Sequence, residues 1–417
     1  MLQSESALQE SSLPFDYTVN TGSFFIPATE INDRLNRLQA RILDTSLHGV
    51  LIFEPVELLY YTGTMPGGVL FVPAEGEPAL FVRRNLERAR SESPIRTIVP
   101  FTSFKEIVAI LQKRSLPFSI LGLDEHATTL SYFKLLKNNF TSSRFTDAGP
   151  ELRRLRAVKS PYEIAKLKQA GEVGRQVTAL IPELLKPGIT EWELALKLFH
   201  ETALRGRSCM ARLAFNSGEC FMGGVCFGDS ANHPSAFDGP DGMPGKSPAC
   251  PSAGSDRTLQ PGDLVFIDML FPYDEYYVDK TRVFSLGEPS GAALEAHQTC
   301  LDVQQAVQAR LKPGAIPSRI YEEVMEEIVM PRGFSEHFMG FGANQVKFLG
   351  HGVGMVINES PVIARKADDP LVENMVLAVE PKKGLPGLGM VGIENTFRVA
   401  PEGGENLTAD NDALLVV

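Results

Sequence analysis

Residues 264–284 read Leu-Val-Phe-Ile-Asp-Met-Leu-Phe-Pro-Tyr-Asp-Glu-Tyr-Tyr-Val-Asp-Lys-Thr-Arg-Val-Phe: two apolar runs about a Pro272–Glu275 turn, with an acid inside each run. An ionised carboxylate within such a strand costs several kcal/mol unless it is paired or bound to a metal. A hairpin at the turn brings Asp268 and Asp279 together. Further along, Glu380 closes the run Met375–Val379 and Glu394 interrupts Met390–Phe397. His351 lies in Leu349–Gly354, whose three glycines permit close backbone approach and read as a loop.

Taken singly, each residue has an ordinary explanation. Asp279 next to Lys280 and Arg282 suits a structural ion pair, and a histidine in a glycine-rich loop suits a satisfied polar residue. Taken together they do not. Four converging carboxylates raise one another's pKa values, and their runs carry too few basic partners to neutralise them. Oxygen ligands with one imidazole suit Mn, Fe, Co or Zn, so a pair of divalent ions is the simpler account.

The 417 residues suggest two domains. Residues 1–25, rich in Ser, Glu and Gln, read as an extension. Residues 26–155 read as a small α/β domain: Leu35, Leu38 and Ile42 mark a helix face, and the short runs Val50–Phe53, Val69–Val72, Ala79–Val82 and Ile120–Leu123 alternate with helical stretches such as Phe104–Lys113. Ser160-Pro161-Tyr162-Glu163 is a capping box with proline at the first helical position, and opens a second domain over 156–417. Within it, Leu185-Lys186-Pro187-Gly188 and Leu311-Lys312-Pro313-Gly314 each separate two helical segments, a faint echo of a duplicated unit.

A net charge of -11 argues against a nucleic-acid partner, since phosphate binding needs a basic face. Five cysteines without a Cys-x-x-Cys pair, no signal-like N-terminus and no membrane-length apolar run predict a reduced, cytoplasmic protein without membrane contact. Gly387–Gly392 spells G-x-G-x-x-G, but a strand rather than a helix follows it, which excludes a dinucleotide loop.

The ligand segments resemble those of the M24 metallopeptidases, the family of methionine aminopeptidase, Xaa-Pro aminopeptidase, prolidase and creatinase. The resemblance is carried by Gly262-Asp263 through Asp268, by Asp279-Lys280-Thr281-Arg282, by His351-Gly352-Val353-Gly354, by Glu380-Pro381 and by Ile393-Glu394-Asn395-Thr396. Tyr61-Thr62-Gly63 is the best local match in the first half. The resemblance implies an α+β pita-bread domain preceded by a smaller α/β creatinase-type domain, a homodimer, and hydrolysis of a small peptide or amide, with an Xaa-Pro substrate as the default. It also implies ligand roles. Asp268 serves one ion, His351 and Glu380 the other, Asp279 and Glu394 bridge, and Glu380 takes a proton.

Two positions depart from the family. Its active peptidases carry a histidine seventeen residues before the first aspartate ligand and another seven after the ligand histidine; here these are Pro251 and Asn358. Asn358 can donate a hydrogen bond to an oxyanion but cannot exchange a proton near neutral pH, and Pro251 can do neither. His233 is the candidate substitute, and the Gly/Pro-rich stretch from Asp238 through Ser255 reads as a lid or pocket wall. The departures raise an alternative, a metal-dependent hydrolase or lyase of a small metabolite on the same fold.

Overall fold

The computed structural model describes residues 25–208, 210–213, 222–235 and 239–417. The first half runs α1 (Ala28–Leu43), β1 (Gly49–Ile52), α2 (Pro55–Thr62), β2 (Gly68–Pro73), β3 (Ala79–Val82), α3 (Leu86–Glu92), β4 (Thr97–Pro100), α4 (Phe104–Lys113), β5 (Ile120–Leu123), α5 (Leu130–Asn139), β6 (Arg144–Asp147) and α6 (Gly149–Ala157). Its strands form one mixed sheet in the order β4-β3-β2-β1-β5-β6. Strand alternation sorts the apolar side chains between two layers. Val50, Ile52, Leu70, Val72, Leu80 and Val82 share a core with Ile31, Leu35 and Leu38 of α1. Leu51, Val69, Phe71 and Phe81 pack with Ile107 and Leu111 of α4. Both faces are covered, so the inner strands read as continuous apolar runs. Strands β4 and β6 were not legible, because they are edges with no fully buried residue.

The second half begins at α7 (Pro161–Thr178), capped by the expected reciprocal bonds between Ser160 and Glu163. There follow α8 (Ile181–Leu184), α9 (Glu191–Gly206), β7 (Gly223–Phe227), β8 (Leu264–Tyr273), β9 (Tyr276–Ser285), α10 (Gly291–Arg310), α11 (Pro317–Val324), β10 (Phe348–Val353), β11 (Ile357–Ala364), β12 (Val376–Val379), β13 (Lys382–Leu385), β14 (Gly389–Gly392), β15 (Asn395–Arg398), β16 (Glu405–Asn406) and β17 (Leu415–Val416). They build three sheets, β17-β9-β8-β7, β11-β10-β12-β15-β16 and the pair β13-β14. The Lys-Pro-Gly echo is visible in space. Gly188 (φ 88°) and Gly314 (φ 84°) each end a turn between two helices, and antiparallel strands follow each pair, β7-β8-β9 after the first and β10-β11-β12 after the second. Helix α7 lies on β8 and β9, with Phe271 seated against Gly174, where an added Cβ would lie 3.0 Å from the ring.

Among the described residues no helix is long and apolar enough to cross a membrane. Cys226 and Cys300 are buried free thiols and Cys250 is a half-buried one, while Cys209 and Cys220 lie outside the described residues.

Candidate metal centre

The β8–β9 hairpin turns at Asp274-Glu275 alone; Pro272 and Tyr273, expected in the turn, remain paired with Tyr277 and Tyr276. The register sets Asp268 opposite Thr281 and Leu270 opposite Asp279, so Asp268 and Asp279 are diagonal neighbours on one face. Lys280 and Arg282 alternate to the other face and bond Asp410, with Arg282 Nε 2.8 Å from its Oδ1. The ordinary ion-pair reading of Asp279 is thereby excluded.

His351 is on a strand, not in a loop. It sits in β10 between β11 and β12. The flanking glycines do serve close approach: a Cβ on Gly350 would lie 2.3 Å from the Ala378 carbonyl, and one on Gly352 2.4 Å from that of Ser360. The apolar run Met390–Phe397 that Glu394 interrupts is also divided. It pairs with β13 as far as Gly392, crosses at Ile393-Glu394, and joins β12 from Asn395. Glu380-Pro381 makes the matching crossing between β12 and β13. Both glutamates therefore stand where the chain changes sheet, facing the hairpin acids.

The five side chains converge. His351 Nε2 lies 3.3 Å from Glu380 Oε1, 3.9 Å from Asp279 Oδ2 and 4.0 Å from Glu394 Oε1. Ligands ~2.1 Å from a common tetrahedral ion stand roughly 3.4 Å apart, so one cation fits among these atoms. Glu394 Oε1 is buried and has no hydrogen-bond partner among the described residues, as a ligand atom aimed at such an ion would be. His351 Nδ1 donates to the Gly352 carbonyl at 3.1 Å, which turns Nε2 toward the acids. Thr281 Oγ1 donates to Glu394 Oε2 at 2.8 Å, and the Thr396 hydroxyl bridges the backbone of Asp279. Burial, then the neighbouring carboxylates, pushes Asp279 and Glu394 well above the usual carboxylate range.

A sixth residue joins them. Lys382 Nζ lies 2.6 Å from Asp268 Oδ2, 2.7 Å from Glu380 Oε2 and 3.2 Å from Glu394 Oε2, and its side chain is fully buried. Burial alone would raise Glu380, but the Lys382 ammonium and His351 hold it down to about 2. Lys382 was missed because the basic residues were counted only within the four acidic runs. No local signal marked it, because the chain changes sheet at Glu380-Pro381 and Lys383 stands in the same local context.

Asp241, also unforeseen, is buried with Oδ1 3.9 Å from Lys382 Nζ; burial pushes its carboxyl up to about 7 against the pull of that lysine. It lines a cavity of about 220 Å³ together with Asn232, His233, Phe341 and Asn344. Of the stretch 238–255 expected as a pocket wall, residues 239–242 line this cavity and 243–255 do not, while 238 is outside the described residues. His233 is exposed on that wall and Pro251 is exposed farther along. Asn358 is half-buried at an irregularity of β11, in left-handed backbone (φ 60°).

The profile of Metallopeptidase family M24 matches residues 165–401, and that of the Creatinase/Prolidase N-terminal domain matches 34–158. An Xaa-Pro dipeptidase of Pyrococcus furiosus is 28% identical over 389 residues, which cover 92% of this chain and all of that protein. The structure of an X-Pro aminopeptidase from Thermotoga maritima superposes with a TM-score of 0.76 at 25% identity, over 92% of this chain and 99% of that one. An Xaa-Pro dipeptidase from Bacillus anthracis shares the fold with a TM-score of 0.77 at 22% identity, over 93% and 100%. With this pita-bread α+β half behind a creatinase-type first half, the chain belongs to metallopeptidase family M24 and is a metallohydrolase.

Proposed function

We propose that this chain is a metal-dependent peptidase of Xaa-Pro type, acting on a dipeptide or short peptide. Residues 26–155 and 156–417 are its two domains, and residues 156–417 carry the chemistry. The observation that carries the reading is the set of atoms around His351 Nε2, spaced for one ion and including a buried carboxylate oxygen of Glu394 without a hydrogen-bond partner among the described residues. Asp279, His351, Glu380 and Glu394 would hold that ion. When bound it supplies Lewis acidity, lowering the pKa of water and polarising a carbonyl.

The chain's own residues do the rest. Glu380 accepts the proton at Oε1, the oxygen that faces His351 Nε2 rather than Lys382. Asn358 donates its amide to the developing oxyanion in place of the family histidine. The cavity beside Asp241 receives the peptide, and its mixed lining of Asn232, His233 and Phe341 suits a short polar chain with an apolar side group. The names of the relatives support the Xaa-Pro class.

The test is hydrolysis by metal-reconstituted protein over a panel of Xaa-Pro and other dipeptides. Cleavage of Xaa-Pro bonds is expected, with loss of at least about 100-fold in kcat for Glu380→Gln. An inactive protein that nonetheless binds metal would overturn the peptidase reading.

A further inference from the structure

The centre contains two places for a cation, and the chain fills one of them itself. Asp279, His351 and Glu394 form one cluster of potential ligands; Asp268, Glu380 and Glu394 form the other. In the second cluster every member already places an oxygen on Lys382 Nζ, at 2.6, 2.7 and 3.2 Å. The ammonium donates hydrogen bonds to Asp268 Oδ2 and Glu380 Oε2, and Glu394 Oε2 completes the set as an ion pair. A divalent ion would need the same oxygens at about 2.0–2.2 Å, in the space where the nitrogen stands.

The lysine is also built in. In the β13–β14 register it faces Gly392, where an added Cβ would come within 2.8 Å of Lys382 Cα and 2.9 Å of its Cγ. On another side the ring of Phe266 stands 5.8 Å from Nζ. The side chain is fully buried, so this is not a surface lysine folded inward by chance.

We infer that Lys382 replaces one of the two metal ions, so that the centre binds a single divalent cation beside a fixed ammonium. The inference modifies the two-ion centre that the family resemblance implies and rests on the metal-binding part of the proposed function, not on its substrate. Lys382 is a positioning residue. It occupies Asp268 Oδ2, Glu380 Oε2 and Glu394 Oε2, leaving Glu380 Oε1 and Glu394 Oε1 beside His351 Nε2 for the single ion, and supplies one positive charge where a metal would supply two.

The experiment is elemental analysis and Mn²⁺ electron paramagnetic resonance on the full chain after loading with excess Mn²⁺ and desalting. Wild type should hold roughly one ion per chain and give an uncoupled spectrum. Lys382→Ala should hold roughly two and show the spin coupling of ions about 3.5–4 Å apart. Lys382→Met, which keeps the bulk without the charge, should stay near one. Two ions in the wild type would overturn the inference, as would no bound ion, or a folded Lys382→Ala that still holds one. If the alanine variant does not fold, the wild-type count and spectrum still decide. Failure of the peptidase reading is separate, since it would show as one bound ion without peptide hydrolysis.

Discussion

Asp279 and Glu394 are the residues on which the ion depends most, because each is buried and faces His351 with a carboxylate oxygen. An Asp279→Asn, Glu394→Gln double variant should retain less than about a tenth of the wild-type metal, since second-shell changes alone cost 10–100-fold in affinity. Elemental analysis checks it, and unchanged metal content would place the ion elsewhere. The converging acids were legible in sequence, because an acid in an apolar strand announces itself by its local context. The sixth member was not. Nothing local distinguishes Lys382 from Lys383, yet the first is fully buried among carboxylates while the second reaches the Phe334 carbonyl at 3.1 Å. Strand alternation separates them, and only the pairing of β13 with β14 says which face is which.

At the scale of elements, α7 illustrates how close packing reverses a propensity rule. An exposed helical Gly→Ala change gains about 1 kcal/mol. Gly171 should do the opposite, because its added Cβ would lie 1.9 Å from the Leu407 carbonyl. Gly171→Ala should destabilise the protein by about 1–3 kcal/mol, the range of overpacked sites, read from a denaturant melt. At the start of the same helix, Ser160→Ala removes the bond accepted from Glu163 N and the one donated to Glu30, and should cost about 1 kcal/mol. The cap and the helix were visible in sequence as a local pattern. The division of residues 390–399 between two sheets was not, because an apolar run has the same appearance whichever neighbour it pairs with.

At the scale of the molecule, the two halves are tied by buried charge. Arg156 of α6 contacts Glu57 of α2 and lies 3.0 Å from Glu359 of β11, and Lys159 Nζ stands 2.6 Å from the other Glu359 oxygen. Glu359→Gln would leave two buried cations undercompensated, and a loss of about 3–5 kcal/mol is expected in denaturant unfolding. Burial works against the Glu359 carboxylate, but Lys159 and Arg156 outweigh it and hold its pKa below the usual range. A depressed carboxylate contributes stability in full above its unfolded pKa of about 4.3, and loses it as pH falls through the folded value. Wild type should therefore lose stability steeply on acidification, and the Gln variant less so; parallel acid profiles would refute the role.

The sequence by itself singled out Asp268, Asp279, His351, Glu380 and Glu394 as residues that converge, together with the capping box that opens the second half and the α+β plan, because each is written in residues close along the chain: apolar alternation, a cap, an acid where an acid is costly. Tertiary structure alone decided what stands among Asp268, Glu380 and Glu394. Lys382 reaches them because the chain leaves one sheet after Val379, β13 begins another at Lys382, and Gly392, ten residues on, has no Cβ to block the way. That is a property of packing between distant segments, and a lysine's long flexible side chain carries no local sign of which way it will turn.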